Sequence, residues 1–224
     1  MNFLELVQRT RRECSATGSV PSTVVGQTGM NARLVDWVSD AWKKIQEEQE
    51  YWKFLHKEFE FELSTTAMDY PPYAPAGAHA GLQDWARWVP ASLRLYTPGS
   101  SYADEQFLNF FHYEDFRNAY RMGARNTGRP MAFTIRPRDS AIMFDVQPDQ
   151  VYVCAGEHYS KPVILTSNTD TPQVEERFHM LIVYEAMLSY GIDQSAVEVI
   201  SRAQKGRNDL MPSFQRKYLP EFVA

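Results

Sequence analysis

The residues that could do chemistry are sparse and poorly spaced for it. Five histidines occur, His56, His79, His112, His158 and His179, and no two stand three or four positions apart, the spacing that puts two side chains on one helix face. Glu176-Arg177-Phe178-His179 has the Glu-x-x-His form of carboxylate-bridged di-iron bundles. Those bundles need a second such motif and further helix glutamates, and neither is evident. The bland alternative is a partly exposed helix histidine, and that is the expectation for His179. Glycine-rich phosphate loops, GxSxG, HExxH and CxxC are absent. Cys14 and Cys154 lie far apart without partners at metal spacing, so two free thiols in a reducing cytosol are expected. No catalytic residue, cofactor or metal is expected, and the chain reads as a non-enzyme.

Charge offers more. Glu58, Glu60 and Glu62 alternate with Phe59, Phe61 and Leu63, so the three carboxylates share one face of a strand. Paired carboxylates can do acid–base work or bind calcium. A solvated sheet surface is the plainer reading. Repeated around a ring, the same stripe could line a channel that repels DNA phosphate and keeps it sliding. Arg117, Arg121, Arg125, Arg129, Arg136 and Arg138 form the most basic stretch. A nucleic-acid platform would interleave them with exposed aromatics. Phe116, Tyr120 and Phe133 fit core positions better, which leaves ion pairing with acidic neighbours as the expected use. Lys and Arg total 23 against 28 Asp and Glu, a net charge of −5, and this balance does not favour tight nucleic-acid binding. Trp37 and Trp42 are expected in a helix core. Tyr73, Trp85 and Trp88 either pack their own domain or anchor a subunit or tail interface, where buried aromatics dominate.

The elements that must hold these residues are helical at both ends and β in the middle. With 224 residues and 44% hydrophobic content, the chain can bury a substantial core. Residues 2–12 read as a short helix that Asn2 can cap. Residues 15–29 are a loop. Leu34, Val38, Ala41, Trp42 and Ile45 repeat at helical spacing. Strands are expected over 58–63, 92–96, 132–135, 141–145 and 151–159, the last three as an antiparallel meander, with a short helix through Tyr113, Phe116 and Tyr120. Residues 68–81, rich in proline and alanine, form a long loop of the kind that often makes contacts. Thr171 can cap a further helix with Pro172 at its first position. Residues 178–188 are apolar almost all round, hence central. Gly191 should stop that helix, a last one should start near Asp193, and Pro212 should bend or end it. The expected class is α+β: a bundle of N- and C-terminal helices with a small central antiparallel β domain. The segments run 1–57, 58–168 and 169–224 within one compact domain. No signal peptide and no apolar run of bilayer length is seen, so synthesis in a cytoplasm is expected, with no membrane partner.

Several stretches, read in order, resemble one family. They are Leu34-Val35-Asp36-Trp37-Val38 with Ala41-Trp42, Ser92-Leu93-Arg94-Leu95-Tyr96, Tyr113-Glu114-Asp115-Phe116-Arg117, and Gly128-Arg129-Pro130 with Phe133-Thr134-Ile135. Gly156-Glu157 with Tyr159, Glu176-Arg177-Phe178-His179-Met180 with Ile182-Val183-Tyr184, and Tyr218-Leu219-Pro220 complete the set. Together they resemble the head–tail adaptors of tailed bacteriophages, also called connector or tail tubular proteins. That resemblance implies a structural virion protein at the head–tail junction of a phage, made in its bacterial host. It implies a homo-oligomer, a twelve-subunit ring under the portal protein. The ring extends the DNA channel, without sequence-specific binding, and offers a surface to a tail or nozzle protein. It also implies a C-terminal segment that reaches the portal, with Tyr218, Leu219 and Phe222 as the matching apolar anchors. The rival readings are another head- or tail-completion protein and a non-enzymatic binding module built on a β platform.

Overall fold

The computed structural model describes residues 1–73, 80–123 and 125–221, with backbone alone at Ser101 and Tyr102. In chain order the elements are α1 (Phe3–Glu13), α2 (Gly29–Glu47), β1 (His56–Glu62), β2 (Asp69–Tyr70), β3 (Trp85–Tyr96), β4 (Gln106–Phe107) and β5 (Asn109–Phe110). Then come α3 (Tyr113–Tyr120), β6 (Thr127–Gly128), β7 (Ala132–Ile135), β8 (Ile142–Phe144), β9 (Gln147–Pro148), β10 (Val153–Ser160), α4 (His179–Asp193) and α5 (Val197–Tyr218). The class is α+β with terminal helices, as the periodicities imply. The chain divides into two units, Met1–Leu55 with Pro162–Ala224, and His56–Lys161.

In the helical unit, Asn2 starts α1 with a reciprocal cap. Its side chain accepts from the Glu5 N–H at 2.9 Å, and Glu5 accepts from the Asn2 N–H at 2.9 Å, which satisfies two otherwise orphaned donors. Helix α4 packs against α1, α2 and α5. Leu181, Ile182, Val183, Ala186 and Met187 are buried along it, so its near-continuous apolar surface follows from having neighbours on several sides. Three helices are tied by charge: Glu185, buried on α4, accepts from Lys44 of α2 and from Arg207 Nε of α5 at 2.8 Å, and Arg207 also bonds Glu48. An aromatic cluster closes the unit. Trp52 lies 5.6 Å from Phe54 and 4.9 Å from Phe214, ring centre to ring centre.

Several helix boundaries differ from the sequence expectation. Thr171 and Pro172 start no helix; α4 is entered through a 3-10 turn over Glu176–Phe178. Residues 166–170 are instead held as a loop by Asp170, which accepts from the N–H groups of Thr166 at 2.7 Å and Ser167 at 2.8 Å. Gly191 does not stop α4, which runs to Asp193. A Cβ on Gly191 would lie 2.5 Å from Ile200 Cγ1, so the glycine serves close approach to α5. The chain reverses at Ser195, whose φ is 52°, and α5 begins at Val197 rather than near Asp193. Pro212 does not end α5 either. It is exposed, so water can solvate the carbonyl it leaves unbonded, while buried Met211 and Phe214 hold the helix in place.

Gly206 is a second point of close approach, since its Cβ would lie 2.5–2.7 Å from the Tyr184 ring. Alanine there gains about 1 kcal/mol of helix propensity but forces a displacement that costs about 1–3 kcal/mol. Gly206→Ala is therefore expected to lower the melting temperature of the helical unit, and Tyr184→Ala in the same chain to recover it. A higher melting temperature for Gly206→Ala alone would show that the ring yields freely.

The β unit has two four-stranded sheets, ordered β1-β10-β3-β4 and β2-β8-β7-β5, and a two-stranded pair β6-β9. Phe59, Leu93, Leu95 and Cys154 from the first sheet meet Tyr70, Phe133, Ile142 and Phe144 from the second in one core. The expected meander is only a hairpin. β7 and β8 pair antiparallel, but β10 leaves them to pair between β1 and β3, and β5–β7 is parallel. Strand β3 begins seven residues before Ser92, the residue at which a strand is predicted. Pro90 has no N–H to give the ladder, and the register with β10 shifts between Ala155 and Glu157. Ser92 fills the gap: its hydroxyl donates to the Val89 carbonyl at 2.7 Å and accepts from the Glu157 N–H at 2.8 Å. Residues 74–79 of the long loop lie outside the described residues, and Asp69–Tyr70 within it forms β2.

Candidate interaction surfaces

Strand β1 is an edge strand whose two faces differ sharply. Phe59 is buried and Phe61 packs against the core, while Glu58, Glu60 and Glu62 are exposed on the other face. The antiparallel register sets Glu58 opposite Glu157, and directly opposed residues share a face, so Glu157 is a fourth carboxylate that strand pairing alone reveals. His56 Nε2 sits 3.0 Å from Glu157, and the Tyr96 hydroxyl donates to Glu60 at 3.1 Å. Arg94, in register with Ala155 on this face, bonds Glu105. The result is a negatively charged sheet face. Beside it a shallow depression of about 290 Å³ is lined by Val89, Ala91, Ser92, Arg94, Phe107 and Glu157.

The aromatic residues around the long loop converge. Trp85 is 5.5 Å from Trp88 and 6.3 Å from Tyr73, and Lys161 Nζ lies 4.9 Å from the Tyr73 ring centre. Trp88, however, is only 3% exposed. It packs 4.9 Å from Phe59 and donates its Nε1–H to the Ser140 carbonyl at 2.8 Å. Of the two readings open for it, Trp88 takes the first and packs its own domain. Tyr73, 43% exposed, and half-buried Trp85 retain accessible surface. His158, given no role by the sequence, lies against this group, 6.5 Å from Trp88 and 5.9 Å from Phe59.

At the C-terminal end, Tyr218 is the last residue of α5 and is engaged within its own unit. Its ring lies 5.3 Å from Phe54, 5.7 Å from Phe178 and 5.0 Å from Phe214, and its hydroxyl accepts from the Glu175 N–H at 2.9 Å. Leu219 is the first extended residue after the helix. The segment that can reach outward therefore starts after Tyr218. Phe222 lies outside the described residues.

The arginine stretch is mostly paired within the β unit. Arg121 and Arg136 bond Asp69 at 2.5 and 2.9 Å, Arg129 bonds Asp104 at 2.5 Å, and Arg136 and Arg138 reach Asp139 at 2.7 and 3.5 Å. His179 is not partly exposed but buried at 2%. Its ring fills a closed position between the Val174 carbonyl, 3.0 Å from Nε2, and the Met1 amine, 2.8 Å from Nδ1. Burial lowers its affinity for a proton. Among the described residues no group of three His, Cys, Asp or Glu side chains is placed to hold a metal. Cys14 and Cys154 are buried free thiols. Burial pushes the Cys14 thiol up to about 12 and the Cys154 thiol up as well, so both stay protonated near neutrality.

One surface escaped the sequence reading. Phe107, Phe110 and Phe111 are 64%, 42% and 36% exposed; Phe107 ends β4 and Phe110 ends β5, the open edges of the two large sheets, and Phe111 follows directly. Such exposed apolar edges mark contact surfaces. Alternation hides them in sequence, because nothing local distinguishes an edge phenylalanine from a core one. No helix among the described residues is long and apolar enough to cross a membrane. No curated protein matches the chain. The model of the SU10 adaptor protein family matches residues 1–218. Adaptors of this kind are structural components of phages rather than a class of enzyme. Since that match takes in the helices at both ends and every strand between them, the chain belongs to the SU10 adaptor protein family.

Proposed function

We propose that the protein is a ring-forming adaptor at the neck of a tailed phage, docked under the portal and carrying the tail. The observation that carries this reading is the family match over residues 1–218, since an adaptor's partners are the portal and tail proteins. A ring of identical subunits, twelve in the adaptors this chain resembles, needs two different patches on each copy. The phenylalanine edge of β4 and β5 is one suitable patch, and Tyr73 with Trp85 offers another. The face bearing Glu58, Glu60, Glu62 and Glu157 is suited to a channel wall, because carboxylates repel phosphate and leave DNA free to slide. The segment after Tyr218 is the portal contact, with Leu219 and Phe222 as its apolar anchors. A tail or nozzle protein takes the opposite end of the ring. Synthesis takes place in the cytoplasm of the bacterial host.

The test follows from the packing of Tyr218. Deleting residues 219–224 leaves the aromatic cluster intact, so the melting temperature should not change. Co-sedimentation with assembled portal rings should fall at least tenfold. Undiminished portal binding would refute the assignment of the tail. Absence of the protein from the head–tail junction in electron micrographs of virions would end the adaptor reading itself.

A further inference from the structure

The chain enters the β unit at His56, on β1, and leaves it at Lys161, just after β10. One residue holds both crossings. The Asp84 carboxylate accepts from Lys57 Nζ at 2.5 Å, and the Asp84 carbonyl accepts from the Lys161 N–H at 2.6 Å. His158 stands directly opposite Lys57 in the ladder, with Nε2 3.7 Å from Asp84 Oδ1, beyond hydrogen-bond range. Its ring is 2% exposed, and among the described residues neither ring nitrogen has a hydrogen-bond partner. At the same end of the sheet Ser160 Oγ and Trp85 Nε1 are also buried without partners among the described residues. Native interiors rarely leave so many polar atoms unsatisfied together.

We propose that Asp84 is a proton-sensitive staple on the two strands that carry the chain into and out of the β unit, and that protonation of His158 releases it. The neutral ring tolerates its apolar contacts with Phe59 and Trp88. An imidazolium there is a second cation facing Asp84, the one carboxylate among the described residues at this end of that face, which already serves Lys57. Lys57 holds Oδ2 and the ring faces Oδ1 at 3.7 Å, so closing that gap turns the carboxylate relative to Lys57 or admits water, and either loosens this end of the sheet. Among the described residues the charged groups around it are Lys57 and His56 on β1, Asp84 before β3, and Lys161 after β10. Glu157 on β10 and Arg87 on β3 alternate onto the other face. Burial, opposed by Asp84 and reinforced by Lys57, holds the ring below its ordinary proton affinity. The sign follows. Above the ordinary histidine value of about 6.5 neither the folded nor the unfolded chain is protonated. Below it the unfolded chain takes up the proton first, so stability falls as pH falls towards the folded-state value.

Amide hydrogen exchange, corrected for the intrinsic rate, tests this. Between pH 7.5 and 5.5, protection of the Lys161 amide should fall at least tenfold relative to that of Cys154, in mid-sheet. In His158→Gln, which is neutral throughout, the ratio should stay flat. An identical pH profile in His158→Gln, or equal loss at Cys154, would overturn the proposal. If that variant does not fold, ¹⁵N titration of the native ring decides. A midpoint below the ordinary value that coincides with the loss of Lys161 protection supports the staple, and a midpoint at or above that value overturns it.

Discussion

Trp52→Ala is expected to destabilise the helical unit by about 3–5 kcal/mol, a large share of typical domain stabilities of about 5–15 kcal/mol. The indole is fully buried, stacked beside Phe54 and tilted against Phe214, and its Nε1–H donates to the Ile45 carbonyl at 3.1 Å. Truncation thus opens a large cavity and strips a partner from a carbonyl near the end of α2. The effect reaches the C-terminal end, because Phe54 and Phe214 are also the rings on which Tyr218 rests. Trp52→Phe keeps the apolar volume better and loses the hydrogen bond, so it should fall between. Thermal melts followed by circular dichroism and Tyr218 side-chain order by NMR provide the readouts. A loss under about 1 kcal/mol would mean that the cluster collapses around the gap, contrary to the rigid packing expected of a core.

Arg207→Ala should be nearly as damaging, at about 2–4 kcal/mol. Glu185 is buried on α4, and Lys44, its other partner, is 65% exposed, so Arg207 is the partner that shields it. Removing the guanidinium leaves the buried carboxylate to a largely solvated lysine and unpairs Glu48 as well. Arg207→Lys should recover only part of the loss, since one ammonium cannot reproduce the fork that reaches Glu185 and Glu48 together. The decisive comparison is the double variant Glu185→Leu with Arg207→Leu. Replacing a buried pair by apolar side chains is often neutral, so the double variant should be more stable than Arg207→Ala. If it is the least stable of the series, the pair itself stabilises the bundle beyond compensating its own desolvation.

What was legible in the sequence was whatever depends on local period. The alternation of residues 58–63 placed Glu58, Glu60 and Glu62 on one exposed face, and Asn2 marked the start of α1. What failed were inferences from single residues whose role depends on distant neighbours. Gly191 looks like a stop until α5 is seen to pass within reach of its Cα. Pro212 looks like a break until its exposure is known, and Thr171-Pro172 mimics a cap in a segment that Asp170 holds as a loop. Pro90 hid the first half of β3 because the repair, a serine hydroxyl two residues on, needs β10 alongside. In the candidate surfaces the same division holds. The acidic stripe was visible, but its fourth member Glu157, the burial of Trp88 and the position of His158 all required the strand pairing.

The division of the chain into a continuous β unit and a helical unit built from both flanks sets an order on synthesis. Residues 56–161 are complete before α4 leaves the ribosome, so every strand can pair while α1 and α2 still lack the helix they pack against. Domains generally fold as units as the chain emerges. A nascent chain cut short before α4 therefore carries a finished sheet unit on an unfinished bundle, with the apolar faces of α1 and α2 uncovered. Such chains are substrates for chaperones and proteases rather than for assembly. If the proposed ring holds, a subunit whose bundle closes last would join it only as a full-length chain, which would keep fragments out of the assembly.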